Sequence, residues 1–302
     1  MVIKFFHRRR GVFKYLSKRI ARRYLRNISK EHIKTKDQLV MFSFDFISQF
    51  ISIDGRFENQ ELSLIEKTFE GKLDNKIVFD IGANIGNHSV ALSKFSKMVY
   101  SFEPNPYVFD ILKLNAKNFK NIRVFNFGAS DVNQDIIAKV PRRNCGGGST
   151  YLDKKNSKVN HFYEVLFKLK EFDRLSLIPK KNIGLIKLDV EGHELQALKG
   201  MKRLLKKNKP VILFEQNRGI ANQTSLELDF MKSIGYEFLY ELCECEKWIT
   251  PKNMPKTFES LFRFLEVCIF GEPSGDLKLR LIKTLEKKSY DMLIFSFQPL
   301  ER

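Results

Sequence analysis

The chain of 302 residues carries 53 Lys and Arg against 35 Asp and Glu, which gives a formal net charge of +18. Its 43% hydrophobic and 13% aromatic content is enough for a substantial core, so an intrinsically disordered protein is excluded. No uncharged apolar run approaches the roughly 18 residues that a transmembrane helix needs, so none is expected.

The positive charge is concentrated at the N-terminus. Residues 1–36 contain 13 basic residues and one acid, Glu31, whereas the rest of the chain has a net charge of only +6. Within residues 11–28, apolar side chains recur every three or four positions, which predicts a basic amphipathic helix. We interpret residues 1–36 as an arm that lies on an anionic membrane through residues 8–28. A solvated arm or an organelle transit peptide would have a similar composition.

Residues 37–75 are predicted to form a helical lead-in, with helices at 38–53 and 59–69. From residue 76 onward, short apolar runs alternate with amphipathic helices. The predicted strands are 77–81, 98–103, 122–127, 183–190, 210–216, a strand from 236 and 290–297. The predicted helices are 87–95, 106–118, 194–205 and 224–234. This alternation predicts an α/β domain over residues 76–302, with a doubly wound, mostly parallel sheet. Residues 245–275 show no clean period and are expected to be an insertion.

The first candidate site follows the strand at 77–81. That strand carries Asp80 near its end, and a glycine turn with Gly82, Asn84 and Gly86 leads directly into a helix. Such a turn presents backbone N–H groups to a ligand. A second acid, Glu103, closes the next strand, where a carboxylate can accept both hydroxyls of a ribose. Together these residues predict a nucleoside-bearing cofactor at the carboxyl ends of parallel strands.

Asn84 argues against a dinucleotide as the cofactor. A dinucleotide site uses G-x-G-x-x-G, and Asn84 replaces the second glycine, which weighs against NAD. An acid before the first glycine suits a positively charged cofactor. S-adenosylmethionine has an ammonium and a sulfonium group and no phosphate.

Four sequence blocks resemble the FkbM-type methyltransferase family in order and spacing. They are Asp80-Ile-Gly-Ala-Asn-Ile-Gly-Asn-His88, Phe102-Glu-Pro-Asn-Pro106, Gly128-Ala-Ser-Asp131 and Ile186-Lys-Leu-Asp-Val-Glu-Gly-His-Glu194. The resemblance covers about residues 55–240 and the last strand, and it implies a class I, Rossmann-like, S-adenosylmethionine-dependent methyltransferase fold. It further implies a methionine-end site at Asp80, Gly82, Asn84 and Gly86, a ribose contact at Glu103, and Asp131 near the adenine amino group. The family mostly methylates hydroxyl oxygens, often on sugars or polyketide-like molecules.

The second candidate site lies at the end of the strand at 183–190. Strand alternation is expected to point Lys187, Asp189 and Glu191 to one side, and His193 opens the next helix. An alcohol nucleophile gains about 10²–10⁴-fold from a general base. We predict His193 as this base, with Asp189 beside the methyl donor and acceptor and Glu191 as a further candidate. The cluster could instead have a purely structural role or hold a divalent metal ion, and we predict no metal.

The sequence therefore predicts an O-methyltransferase acting on a hydroxyl of a glycan, glycolipid or related metabolite. A nucleic-acid methyltransferase is disfavoured because acids at the predicted rim would repel phosphates. Two further hypotheses are a non-catalytic, membrane-tethered binding module and an NAD-dependent oxidoreductase, and Asn84 disfavours the oxidoreductase. We expect a cytoplasmic enzyme, peripheral on the inner face of the membrane.

Overall fold

The structure is a computed structural model, and it describes residues 12–35, 37–43, 45–141, 162–215, 221–245, 255–270, 276–283, 285, 290 and 292–300. The chain divides into two compact units, Met1–Asn59 and Gln60–Arg302. Within the described ranges, no helix combines the length and apolar character needed to cross a membrane.

The first unit contains two helices, α1 (Val12–Thr35) and α2 (Phe46–Asp54), which pack against each other. Helix α1 extends beyond the predicted 11–28, whereas α2 fills only the later part of the predicted 38–53. The C-terminus of α2 is set by Gly55, whose φ of 81° is left-handed and whose N–H bonds to the Ile51 carbonyl.

The second unit is an α/β domain, as predicted. Its strands are β1 (Ile77–Ile81), β2 (Met98–Phe102), β3 (Ile122–Phe125), β4 (Gly128–Ser130), β5 (Gln134–Pro141), β6 (Phe162–Glu171), β7 (Ile183–Leu188), β8 (Val211–Glu215), β9 (Phe238–Cys245), β10 (Asp276–Ile282) and β11 (Met292–Ser296). Its helices are α3 (Asn59–Phe69), which begins at the boundary of the units, α4 (Asn87–Ser93), α5 (Pro106–Ala116), α6 (Glu194–Gly200), α7 (Lys202–Asn208), α8 (Ala221–Ser233) and α9 (Lys256–Phe270).

Eight of the described strands form the central sheet, in the order β10-β9-β11-β8-β7-β1-β2-β3. Strands β3, β2, β1, β7 and β8 are parallel, and β11 runs antiparallel between β8 and β9. The chain builds outward from β1 to β3 and then returns to the other side of β1 as β7. The strand order therefore reverses between β1 and β7, and open α/β sheets bind ligands at the carboxyl ends of strands at such a point.

The core beneath the sheet is rich in aromatic side chains. Phe79, Phe102 and Phe172 are fully buried, and the Phe102 and Phe172 ring centroids are 4.7 Å apart. Because these rings lie on β1, β2 and the short 3₁₀ turn Phe172–Arg174, they fix the strands whose ends carry the candidate site.

A small second sheet, in the order β4-β6-β5, was not among the predicted elements. The sequence of β6 contains a pattern that could have predicted this strand: buried Val165, Phe167 and Leu169 alternate with exposed side chains, which are charged except for Leu166. Residues 142–161, between β5 and β6, lie outside the described residues.

The region predicted as an irregular insertion, 245–275, contains helix α9, so the absence of a helical period there was a wrong inference. The apolar side chains Phe258, Leu261, Phe262 and Leu265 follow one another at spacings of one or three residues, and each is more than 40% exposed. Residues 246–254 and 271–275 lie outside the described part of the chain.

Candidate active site at the carboxyl ends of β1 and β7

The first predicted site begins where the turn after β1 contacts the end of β7. Asp189 donates its backbone N–H to the Ile81 carbonyl at 3.0 Å. A Cβ atom at Gly82 would lie 1.6 Å from the Asp189 carbonyl oxygen, and the φ of Gly82 is +81°. The missing side chain of Gly82 thus faces the protein backbone and allows the two predicted sites to join. A contribution of Gly82 to cofactor binding stays a prediction.

Gly86 and Asn84 shape the rest of this turn. A Cβ atom at Gly86 would lie 2.8 Å from Leu112 Cδ1, so Gly86 lets α4 start close to α5. Asn84 adopts a left-handed φ of 51°, and its Oδ1 accepts the Ile85 N–H at 2.7 Å. Asparagine tolerates this conformation because its short side chain bonds locally to the backbone.

Glu103 lies directly beside this turn, as predicted from its position after β2. Its Oε2 accepts the Asn84 N–H at 3.0 Å, and its Oε1 accepts the Asn105 N–H at 2.8 Å. Each oxygen keeps a lone pair for a further donor. Burial raises the pKa of Glu103 to about 7, despite the two backbone hydrogen bonds, and the nearby Asp189 and Asp80 contribute to the increase.

Asp80 is fully buried beneath the turn. Its Oδ2 accepts the Ser89 hydroxyl at 2.5 Å, and the Ser89 and Ser101 hydroxyl oxygens are 2.7 Å apart. The other oxygen, Oδ1, is buried and has no hydrogen-bond partner among the described residues. Such a group is costly to bury, and a cationic ligand group nearby would offset the cost.

Asp189 is held by a buried lysine. Lys187 Nζ lies 2.9 Å from Asp189 Oδ2 and 3.8 Å from Glu215 Oε2, and the lysine side chain is 3% exposed. Burial alone would raise the pKa of Asp189, but the charge of Lys187 and hydrogen bonds from Glu215 and Lys187 lower it below its usual value. Asp189 is therefore an anion at neutral pH. The pairing of Lys187 with Glu215 across neighbouring strands was not predicted.

Glu191 does not follow the strand alternation from which its position was predicted. Strand β7 ends at Leu188, and the chain then turns through Glu191 and Gly192, whose φ angles are 51° and 93°. The alternation argument that placed Glu191 on the same side as Asp189 was wrong, because it extended the strand to residue 190. A catalytic role for Glu191 stays a prediction.

His193 precedes α6 as its N-cap residue, without a side-chain cap. It is 7% exposed, and its Nε2 lies 2.9 Å from the Ser130 hydroxyl at the end of β4. Burial lowers the pKa of His193, an effect that the charge of Asp131 partly opposes. The structure thus places Asp131 near the histidine, a contact that the sequence did not predict.

The structure therefore brings most predicted residues together in two groups. Asp80, Glu103 and Asp189 surround the junction of β1, β2 and β7 closely enough to shift the pKa of Glu103. His193 and Asp131 meet at Ser130. Within the described ranges, no group of three or more His, Cys, Asp and Glu side chains is arranged to hold a metal ion.

The buried carboxyl group of Glu194 leads to a prediction of how the stability of the protein depends on pH. Its Oε1 accepts the Gly192 N–H at 2.9 Å, and burial raises its pKa from 4.5 to about 7. The folded state therefore holds a proton that the unfolded state releases between these pH values. The Glu194 carboxyl group therefore makes its largest contribution to the free energy of unfolding below pH 4.5. That free energy decreases by about 3 kcal/mol as the pH rises from 4.5 through 7.

Urea unfolding of the wild type and the Glu194→Gln variant, followed across this pH range, measures that contribution. We expect the wild type to lose more stability than the variant between about pH 4.5 and 7.5. A variant with the same pH dependence as the wild type would contradict the raised pKa of Glu194.

Comparison with known proteins gives one family and two curated relatives. The model of the methyltransferase FkbM domain family matches residues 80–238. The hexuronic acid methyltransferase AglP of Haloferax volcanii is 32% identical over 149 residues, which are 48% of this chain and 58% of AglP. The uncharacterized protein MJ1452 of Methanocaldococcus jannaschii is 29% identical over 132 residues, which are 43% of this chain and 50% of that protein. The chain thus spans rather more than half of AglP and half of MJ1452.

Solved structures with a detectable likeness include other methyltransferases. A methyltransferase FkbM from Methylobacillus flagellatus is 17% identical, with a TM-score of 0.39 over 88% of this chain and 58% of that chain. A precorrin-6y C5,15-methyltransferase from Geobacter metallireducens is 13% identical, with a TM-score of 0.41 over 81% of this chain and 89% of that chain.

Proposed function

The chain belongs to the FkbM family of methyltransferases, and from this premise we propose that it is an S-adenosylmethionine-dependent O-methyltransferase. The proposed acceptor is a hydroxyl of a glycan, glycolipid or related metabolite. The observation that carries the proposal is the carboxylate of Glu103, which two backbone N–H groups hold at the carboxyl end of β2, beside the strand-order reversal.

The residues at this place fit the proposed cofactor. Each Glu103 oxygen accepts one backbone N–H and retains capacity for a ribose hydroxyl. Asp80 has a buried oxygen without a partner among the described residues, and Asp189 is an anion nearby. Three carboxyl groups suit a ligand that carries an ammonium and a sulfonium group, whereas they would repel a pyrophosphate.

In the proposed reaction the bound cofactor supplies a methyl group on a positively charged sulfur. Glu103 fixes the ribose, and Asp189, held by Lys187, favours positive charge near the transferred methyl group. His193 accepts the proton of the acceptor hydroxyl, and its lowered pKa keeps the ring neutral at neutral pH, as a base requires. Alignment of the reacting atoms adds to the effect of the base.

The acceptor class is supported by AglP, whose name describes a hexuronic acid methyltransferase. We propose that the acceptor of this chain is a hydroxyl on a sugar of this acidic class. Incubation with S-adenosylmethionine labelled in its methyl group tests this. The panel comprises a uronic-acid glycan, the same glycan with its carboxyl groups reduced, and RNA.

Label is expected on the uronic-acid glycan, in an alkali-stable ether, and to a smaller extent on the reduced glycan. Alkali-labile label would indicate a methyl ester on the carboxyl group instead. Label found only on RNA would show that the acceptor is a nucleic acid and not a glycan.

We propose that the first unit places the enzyme on the cytoplasmic, anionic face of a membrane. Helix α1 exposes Phe13, Leu16, Ile20 and Tyr24, by 91%, 46%, 68% and 53%. Its other face carries exposed Lys and Arg, and a helix of this kind binds anionic lipid headgroups. Residues 8–11 of the proposed segment lie outside the described residues.

Sedimentation with lipid vesicles tests this placement. It compares two variants that each lose three positive charges, one in α1 and one in the second unit. We expect Arg19→Gln/Arg22→Gln/Arg23→Gln to weaken binding to anionic vesicles by about 100-fold, at about 1 kcal/mol for each basic residue. The control Lys113→Gln/Lys117→Gln/Lys120→Gln removes three exposed charges from the second unit. Equal weakening by both variants would contradict a specific role for α1.

A further inference from the structure

The Ser130 hydroxyl lies between two ionisable side chains. Its oxygen is 2.9 Å from His193 Nε2 and 3.3 Å from Asp131 Oδ1. Ser130 is fully buried, so no solvent replaces either contact. The three residues come from the end of β4 and the start of α6, which are 63 positions apart in the chain.

The distance between Ser130 and His193 is fixed by the backbone. A Cβ atom at Gly200 would lie 1.8 Å from the Ser130 carbonyl oxygen, so α6 packs directly on the end of β4. His193 begins the same helix, and its carbonyl accepts the Ala197 N–H at 3.0 Å. Both partners of the hydrogen bond are therefore held by rigid elements.

The protons available to these groups favour one arrangement. A serine hydroxyl has one proton, and a carboxylate can only accept. If Ser130 donates to Asp131, it must accept from His193, and Nε2 then carries the proton of the neutral ring. The reverse arrangement would leave the Asp131 carboxylate without its hydrogen bond from Ser130.

We propose that Ser130 and Asp131 hold neutral His193 in the Nε2–H tautomer, so that Nδ1 receives the proton of the acceptor. This assignment rests on the proposed function of His193 as the base. During transfer the acceptor oxygen bonds to the methyl carbon, the carbon–sulfur bond breaks with its electron pair going to sulfur, and the hydroxyl proton moves to Nδ1. Ser130 is a positioning residue, and Asp131 stabilises the positive ring through it.

The tautomer is measurable in the free protein, without cofactor or acceptor. Nitrogen NMR of histidine-labelled protein distinguishes a protonated from an unprotonated ring nitrogen, and the His193→Gln variant identifies the His193 signals. We expect a protonated Nε2 and an unprotonated Nδ1 in the wild type, and a mixture of tautomers in Ser130→Ala. A protonated Nδ1 in the wild type would overturn the proposal.

Kinetics separate positioning from cofactor binding. We expect Ser130→Ala to lower kcat by about 10-fold to 100-fold, a part of the contribution of a general base. The dissociation constant of S-adenosylmethionine should be unchanged, and Ser130→Thr, which keeps a hydroxyl, should recover part of kcat. The control is Ser96→Ala, which removes a buried hydroxyl bonded to the Leu92 carbonyl at 2.7 Å, away from the site.

Two results would contradict the proposed role of Ser130. An unchanged kcat in Ser130→Ala would show that the hydroxyl does not position the base. A weakened cofactor affinity with an unchanged kcat would place Ser130 and Asp131 in the cofactor site instead. If the wild type methylates none of the tested acceptors, the proposed function fails, whereas the NMR measurement still decides the tautomer.

Discussion

Replacement of Gly82 by alanine is expected to unfold the second unit or to destabilise it by more than about 4 kcal/mol. The added Cβ would lie 1.6 Å from the Asp189 carbonyl oxygen, which is a backbone atom and cannot rotate away. The strain of a φ of +81° adds about 1–2 kcal/mol for a residue with a Cβ. Relief would require separating the turn after β1 from the end of β7, where the candidate site is assembled.

Gly71→Ala is the matched control for this variant. Gly71 has a similar φ of +73°, but a Cβ there would meet nothing within 4 Å. Its replacement should therefore cost only the backbone strain, about 1–2 kcal/mol. Circular dichroism during urea unfolding compares the two variants. Equal losses would show that the contact between Gly82 and Asp189 does not constrain the fold.

Replacement of Glu103 by alanine is expected to weaken binding of S-adenosylmethionine by about 100-fold or more. Two ribose hydroxyls would each lose a hydrogen bond to a charged group, worth about 1.5–3 kcal/mol apiece. The backbone N–H groups of Asn84 and Asn105 would lose their acceptor as well. Titration calorimetry measures the change in affinity.

The wild-type affinity should also depend on pH because of the same carboxyl group. Its pKa of about 7 leaves Glu103 largely protonated at lower pH, and only the ionised form accepts from both hydroxyls. The affinity should therefore increase as the pH rises through 7. Glu194→Gln is the control, since Glu194 has a comparable burial and pKa but lies on α6. An affinity that is independent of pH would contradict the role of Glu103.

The alternation of strands and helices in the central domain could be predicted because each strand is a short apolar run next to a turn signal. Strand β1 has the predicted bounds, and Pro106 begins α5 as predicted. The helix predicted over 194–205 is instead divided at Met201, directly after Gly200. Propensity did not indicate this break, and next to it Gly200 packs closely on the Ser130 backbone.

The candidate site was predictable as far as its residues follow single strands. Asp80 lies near the end of a buried strand, and Glu103 and Asp189 directly follow two others of the same sheet. That position alone predicts their convergence. The contact between Ser130 and His193 depends on how a short strand of the second sheet packs on α6, and no local pattern encodes it. The pairing of Lys187 with Glu215 requires the neighbourhood of β7 and β8, which the sequence does not specify.

The most direct test of the proposed enzyme is titration of the purified full chain with S-adenosylmethionine in a calorimeter at about pH 8, above the pKa of Glu103. We expect saturable binding of one cofactor per chain, weakened by about 100-fold or more in Glu103→Ala and retained in Glu194→Gln. Absence of binding at millimolar cofactor, with a protein that unfolds cooperatively, would contradict the proposed function.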